Sequence, residues 1–76
     1  MASVRVVRAG GGDDPIYVDG NYRDSPGTVG GPAFGVDAGE RTFETLGPNG
    51  NPNWSATQTI YEGAVTTVTL QPVAIV

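Results

Sequence analysis

The sequence predicts an all-β fold: a small antiparallel β-sandwich of six or seven short strands in a single domain. Three observations carry that expectation. Twelve Gly and six Pro are spread along 76 residues, and the stretches between them are rich in β-branched and aromatic residues, as short strands joined by turns require. No segment repeats its apolar residues at helical spacing, and no Ser/Thr-x-x-Glu box opens an apolar run. Finally, residues 15–23 read as a tight hairpin. Ile16, Tyr17 and Val18 are strand formers, and they lead into Asp19-Gly20, a pair suited to the positive φ that both central positions of a type I′ turn demand.

The other elements follow in order. Residues 3–8 alternate, with Val4 and Val6 on one face and Arg5 and Val7 on the other. Residues 9–14 form a glycine-rich connector. After the hairpin, residues 24–32 are turn-rich, with Ser25-Pro26-Gly27 as a strong breaker. Residues 33–36 make a short strand with Phe34 and Val36 on one face, residues 37–40 turn it, and residues 41–46 run back around Phe43. Residues 47–53 are all turn formers. Residues 54–61 give the longest clean strand, with Trp54, Ala56 and Ile60 on one side. Glu62-Gly63 turns the chain into residues 64–71, which are dense in Val and Thr, with Val68 and Leu70 facing inward. Pro72 interrupts that strand and leaves Val73, Ala74, Ile75 and Val76 as an apolar tail. The domain thus spans residues 1–76, with a core of 3–71 and a tail of 72–76. Its two inner faces are filled by Val4, Val6, Ile16, Val18, Phe34, Val36, Phe43, Trp54, Ile60, Val68 and Leu70.

The chemistry available is narrow. With no His and no Cys the chain lacks the usual general base, the thiol nucleophile, the zinc ligands and any disulfide staple. Eight acidic residues against four arginines give net −4, which supplies no basic stripe for phosphates and argues against nucleic acid as a partner. The glycine-rich loop has neither the following helix nor the Lys-Ser/Thr of a phosphate loop. Asp13 and Asp14 are adjacent and lack calcium-loop spacing, so they read as a solvated turn. Two carboxylate pairs remain, Asp19 with Asp24 and Glu40 with Glu44. Glycosidase chemistry needs such a pair in a deep cleft, which a chain this small rarely builds. The expectation is no enzyme, no metal and no cofactor. No run approaches the roughly 18 apolar residues of a membrane span, and residues 1–12 lack the apolar core of a signal peptide. Taken at face value the residues indicate a cytoplasmic chain, and a chain that begins after a cleaved signal would read the same way.

With the strands laid out, the sequence resembles the PEGA family of small surface modules. Ser3-Val-Arg-Val6 followed by Ile16-Tyr-Val-Asp-Gly20 is similar to the family's opening strand and hairpin. Ser25-Pro26, Val36-Asp-Ala-Gly-Glu-Arg-Thr-Phe43 and Glu62-Gly-Ala-Val-Thr-Thr-Val-Thr-Leu70 resemble its later turns and closing strand. The Pro-Glu-Gly-Ala tetrad itself is not present, since Glu62-Gly63-Ala64 follows Tyr61. The resemblance implies a transthyretin-like sandwich without catalytic activity, placed at the cell surface as a binding or spacer module.

Two expectations of function follow, from different classes. The first is a structural module that self-associates into an oligomer or filament by edge-strand or donor-strand pairing. It would use residues 3–8 and 64–76, with Val4, Val6, Val73, Ala74, Ile75 and Val76 at the contact. The chain has no Lys to guard an exposed edge, and a spare apolar tail suits donation to a neighbour. A virion decoration protein shares this logic with a different partner. The second expectation is a monomeric module that binds carbohydrate or another surface ligand on an outward platform of Tyr17, Tyr22 and Tyr61.

Overall fold

The computed structural model describes residues 1–12 and 14–73, with residues 22–28 described by their backbone alone. Among these residues there are strands and turns and no helix. The strands are β1 (Ala2–Val7), β2 (Pro15–Val18), β3 (Asn21–Thr28), β4 (Phe34–Val36), β5 (Gly39–Leu46), β6 (Pro52–Ile60), β7 (Val65–Thr69) and the two-residue β8 (Gln71–Pro72). They form a three-stranded sheet in the order β4-β1-β7 and a five-stranded sheet in the order β3-β2-β5-β6-β8. The all-β sandwich expected from the sequence is therefore the fold.

The hairpin forms as its turn chemistry dictates. Asp19 has φ 52° and Gly20 φ 82°, and Val18 faces Asn21 across the turn, followed by Tyr17 opposite Tyr22. The return strand differs from the expected breaker. Register jumps from Ile16↔Arg23 to Pro15↔Thr28, so β3 carries residues 24–27 past the hairpin as an irregular edge instead of ending there. An edge strand can do this because its outer side owes no hydrogen bonds to a neighbour.

One pairing departs from the antiparallel pattern. β1 runs antiparallel to β4 but parallel to β7, with Ser3 opposite Val65 and Val7 opposite Thr69. The chain begins and nearly ends in this pair. At Leu70 it leaves the small sheet: the Leu70 N–H still donates to Val7 O at 2.8 Å, while Gln71 already faces Ser55 in the large sheet.

The inner faces meet in one core. Val4, Val6, Ile16, Val18, Phe34, Val36, Phe43, Ile60, Val68 and Leu70 are all buried, as alternation predicts. Trp54 and Ala56 pack against this cluster from partly buried positions. Three buried residues were not expected from the sequence: Ala2, Val29 and Thr45. Val29 sits among glycines and prolines, and is pinned by its N–H to Asp14 O at 3.0 Å and by Gly30 N–H to Val6 O at 2.8 Å. Thr45 faces inward beside Phe43, and its hydroxyl donates to Asn53 Oδ1 at 2.6 Å, which satisfies the buried oxygen.

Candidate functional site

Edge strands decide what this surface can offer. β1 is the middle strand of its sheet, and Val4 and Val6 are 0% and 1% exposed. Residues 3–8 are consequently not the outermost strand: β7 pairs along residues 3–7, β4 covers residues 2–4, Val6 O accepts the Gly30 N–H, and the Val4 and Val6 side chains serve the core. The outermost strands among the described residues are β4 and β7 of the small sheet and β3 and β8 of the large one; β8 covers only Trp54 and Ser55 of β6, so residues 56–60 have no partner strand on that side.

The tail begins by serving its own chain. Gln71 and Pro72 pair with Ser55 and Trp54, and the Val73 N–H donates to Asn53 O at 3.0 Å. Residues 71–73 thus complete the large sheet in cis, which corrects the expectation of a donor strand starting at Pro72. Val73 remains 40% exposed and borders a cleft of about 670 Å³ with the Gly47–Asn53 loop. Ala74, Ile75 and Val76 lie outside the described residues.

Of the tyrosine platform, the side chain of Tyr22 falls within the segment described by backbone alone. Tyr17 and Tyr22 stand directly opposite each other in the hairpin register, and Tyr17 also faces Glu44. Glu44 faces Ser55, which faces Gln71, so one row of positions crosses the large sheet. Tyr61, 67% exposed, follows Ile60, the partner of Gly39 at the far end of β5. That end is roughly 17 Å along the strand from Glu44 at about 3.4 Å per residue. Tyr61 therefore does not share a platform with Tyr17. Alternation predicted that it points outward but carried no information on distance.

Glu40 and Glu44 are too far apart to act as a catalytic couple. They occupy the same face of β5, roughly 14 Å apart along the strand, beyond the spacing of either glycosidase geometry. Asp19 is a turn residue whose carboxylate is already engaged. It accepts the Thr42 backbone N–H at 2.9 Å and Arg41 Nη1 at 3.0 Å, and the Arg41 guanidinium also donates to Asp37 O and Ala38 O. The Thr42 N–H first, and the Arg41 hydrogen bond second, hold the Asp19 carboxyl below its ordinary value of 3.8. The side chain of Asp24 falls within the segment described by backbone alone. Among the described residues no three His, Cys, Asp or Glu side chains are grouped to hold a metal ion, and no helix is long and apolar enough to cross a membrane.

One cluster was not singled out from the sequence. The Arg8 guanidinium lies 4.9 Å from the Trp54 ring centroid, with Nη2 3.3 Å from Asp14 Oδ2 and Nη1 donating to Ala9 O. The glycine loop wraps it closely: a Cβ on Gly12 would lie 2.7 Å from Arg8 Nη2. Arg8 shares the parity of Val4 and Val6, so alternation already directed it inward toward Trp54. The cluster joins the end of β1 to β6 through a cation–π contact.

With this geometry in view, the chain was compared with family models, curated proteins and solved structures. None of them matches.

Proposed function

We propose that this domain is a non-catalytic structural module that associates with further copies of itself through an exposed strand edge. The observation that carries this reading is β7. Its outer side has no partner strand among the described residues, Val65 on it is 67% exposed, and Val65–Thr69 contains neither charge nor proline. Proteins that stay monomeric ordinarily blunt such an edge. The resemblance to PEGA surface modules is in keeping with an assembly or spacer role. Light scattering over a wide concentration range, with electron microscopy of the same sample, tests the proposal. Dimers or larger species are expected; a 7.8 kDa monomer at every concentration overturns it.

A second reading is supported by the Tyr17–Tyr22 pair. Its backbone position at one end of the row through Glu44, Ser55 and Gln71 suits an extended glycan lying across the strands, with the Tyr17 ring as an apolar platform and the polar side chains of the row as hydrogen-bonding partners. Tyrosine fluorescence against a panel of polysaccharides checks it. Binding that Tyr17→Ala abolishes and Tyr61→Ala leaves unchanged is expected, and no response from any polysaccharide refutes this reading.

A further inference from the structure

The four outermost strands among the described residues are not equivalent. β8 has two residues, one of them Pro72, which has no N–H to offer. β4 has three residues around Gly35, against which Met1 Sδ packs. β3 contains Pro26 and loses register with its partner after Arg23. Shortness, proline and irregularity are the ordinary means by which an edge is kept from pairing. β7 has none of them: it is five residues of Val and Thr, regular along its length against β1.

The direction of its backbone groups is fixed by two hydrogen bonds. Ser3 N–H donates to Ala64 O and Leu70 N–H donates to Val7 O, so with the parallel register of this pair the even-numbered residues 64–70 address β1. The N–H and C=O groups of Val65, Thr67 and Thr69 therefore point away from the sheet, unpaired by any strand among the described residues.

We infer that the occupant of this edge is β7 of a second copy, paired antiparallel about a two-fold axis through Thr67. This deepens the self-association reading and rests on it. In that register Thr67 faces Thr67, and Val65 faces Thr69 on either side; all of these are outward-addressing residues, so each pair exchanges both of its hydrogen bonds. The facing side chains are β-branched throughout, a favourable cross-strand combination, and exposed Val65 gains an apolar neighbour in the Thr69 methyl group. Charge points to the same contact. Two copies each carrying net −4 repel least where the facing strips are neutral. Arg5, whose register partner is Thr67, would stand three strand spacings from its symmetry mate, roughly 14 Å, beyond a physiological screening length of about 8 Å. The contact uses the same patch on both copies and closes on itself. It yields a dimer with a continuous sheet β4-β1-β7-β7-β1-β4, in which neither β7 edge remains open.

The absence of cysteine makes a direct test clean. In a hydrogen-bonded antiparallel pair the facing Cα atoms are about 5.5 Å apart, inside the disulfide range of roughly 4.4–6.8 Å. Thr67→Cys should therefore cross-link to a covalent dimer under mild oxidation, whereas Ser55→Cys, held between Glu44 and Gln71 on the outer face of the large sheet, should not. Thr67→Lys should retain the strand circular dichroism of the parent and weaken association at least tenfold. Association that persists in Thr67→Lys with no cross-linking of Thr67→Cys overturns β7 pairing while leaving self-association standing. Monomers of the parent at every concentration overturn both.

Discussion

Replacing Asp19 with Ala tests the turn that anchors the large sheet. Two contributions add. Asp19 sits at φ 52°, in the left-handed region, where Ala costs roughly 1 kcal/mol more than a residue that tolerates it. Its carboxylate also takes hydrogen bonds from Thr42 N–H at 2.9 Å and Arg41 Nη1 at 3.0 Å. Hydrogen bonds to charged groups contribute about 1.5–3 kcal/mol each when shielded, but Asp19 and Arg41 are both open to water, so screening reduces the pair to about 1 kcal/mol in total. Asp19→Ala should therefore lose about 2 kcal/mol, which for a domain of this size lowers Tm by roughly 8–16 °C. Asp19→Gly removes the hydrogen bonds without the φ penalty and should lose about half as much. Asp19→Asn keeps the φ tolerance and an acceptor for Thr42, and should lose least. Urea unfolding followed through Trp54 emission, with calorimetry, measures the series. An Asp19→Ala variant within 0.5 kcal/mol of the parent, or an Asp19→Gly variant less stable than it, refutes the reasoning.

The same carboxylate gives a pH prediction. Its folded pKa lies below the ordinary 3.8, so the unfolded chain binds the proton more tightly; the stabilisation is complete above the ordinary value and is lost as pH falls through the folded one. Stability profiles at acid pH should show this loss in the parent and lack its Asp19 part in Asp19→Asn. Phe43→Ala removes a side chain that is 0% exposed and should cost about 3–5 kcal/mol. That is a large part of the roughly 4–11 kcal/mol expected of a domain this size, visible as a collapse of the urea midpoint. Gly12→Ala, at φ 142° and 2.7 Å from Arg8 Nη2, should displace the guanidinium and shift Trp54 emission; in an Arg8→Ala background that shift should vanish. Thr45→Val removes the hydroxyl bound to Asn53 and should cost about 1 kcal/mol, since exposed Asn53 can turn to water.

What could be read from the sequence was local. Alternation placed Val4, Val6, Ile16, Val18, Phe43 and Ile60 inside because side-chain period is a property of each strand by itself. Asp19-Gly20 announced its turn because positive φ is a demand on those two residues alone. Partnership is different. Nothing in the Val and Thr of β7 states that β1 is its neighbour, or that the two run parallel, so β1 was read as an edge when it is the middle strand. The candidate site suffered from the same limit. Outward-pointing Tyr17 and Tyr61 were legible, whereas their separation depended on which strands intervene. Val29 was concealed by its setting among glycines and prolines, since it is buried by two backbone hydrogen bonds from a loop and not by any strand pattern.

Because β1 pairs parallel with β7, the domain has a definite order of completion in time. During synthesis the first strand emerges with Val4 and Val6 exposed, and its short antiparallel partner β4 can hold only residues 2–4. The rest of β1 waits until β7 has been made. Hairpins such as β2–β3 and β5–β6 close through short loops, but the β1–β7 pair must close a loop that contains almost everything else, with the entropy that such closure costs. Folding should thus be slow for a domain of this size, and the β1–β7 pairing that presents the open edge of β7 is among the last contacts to form.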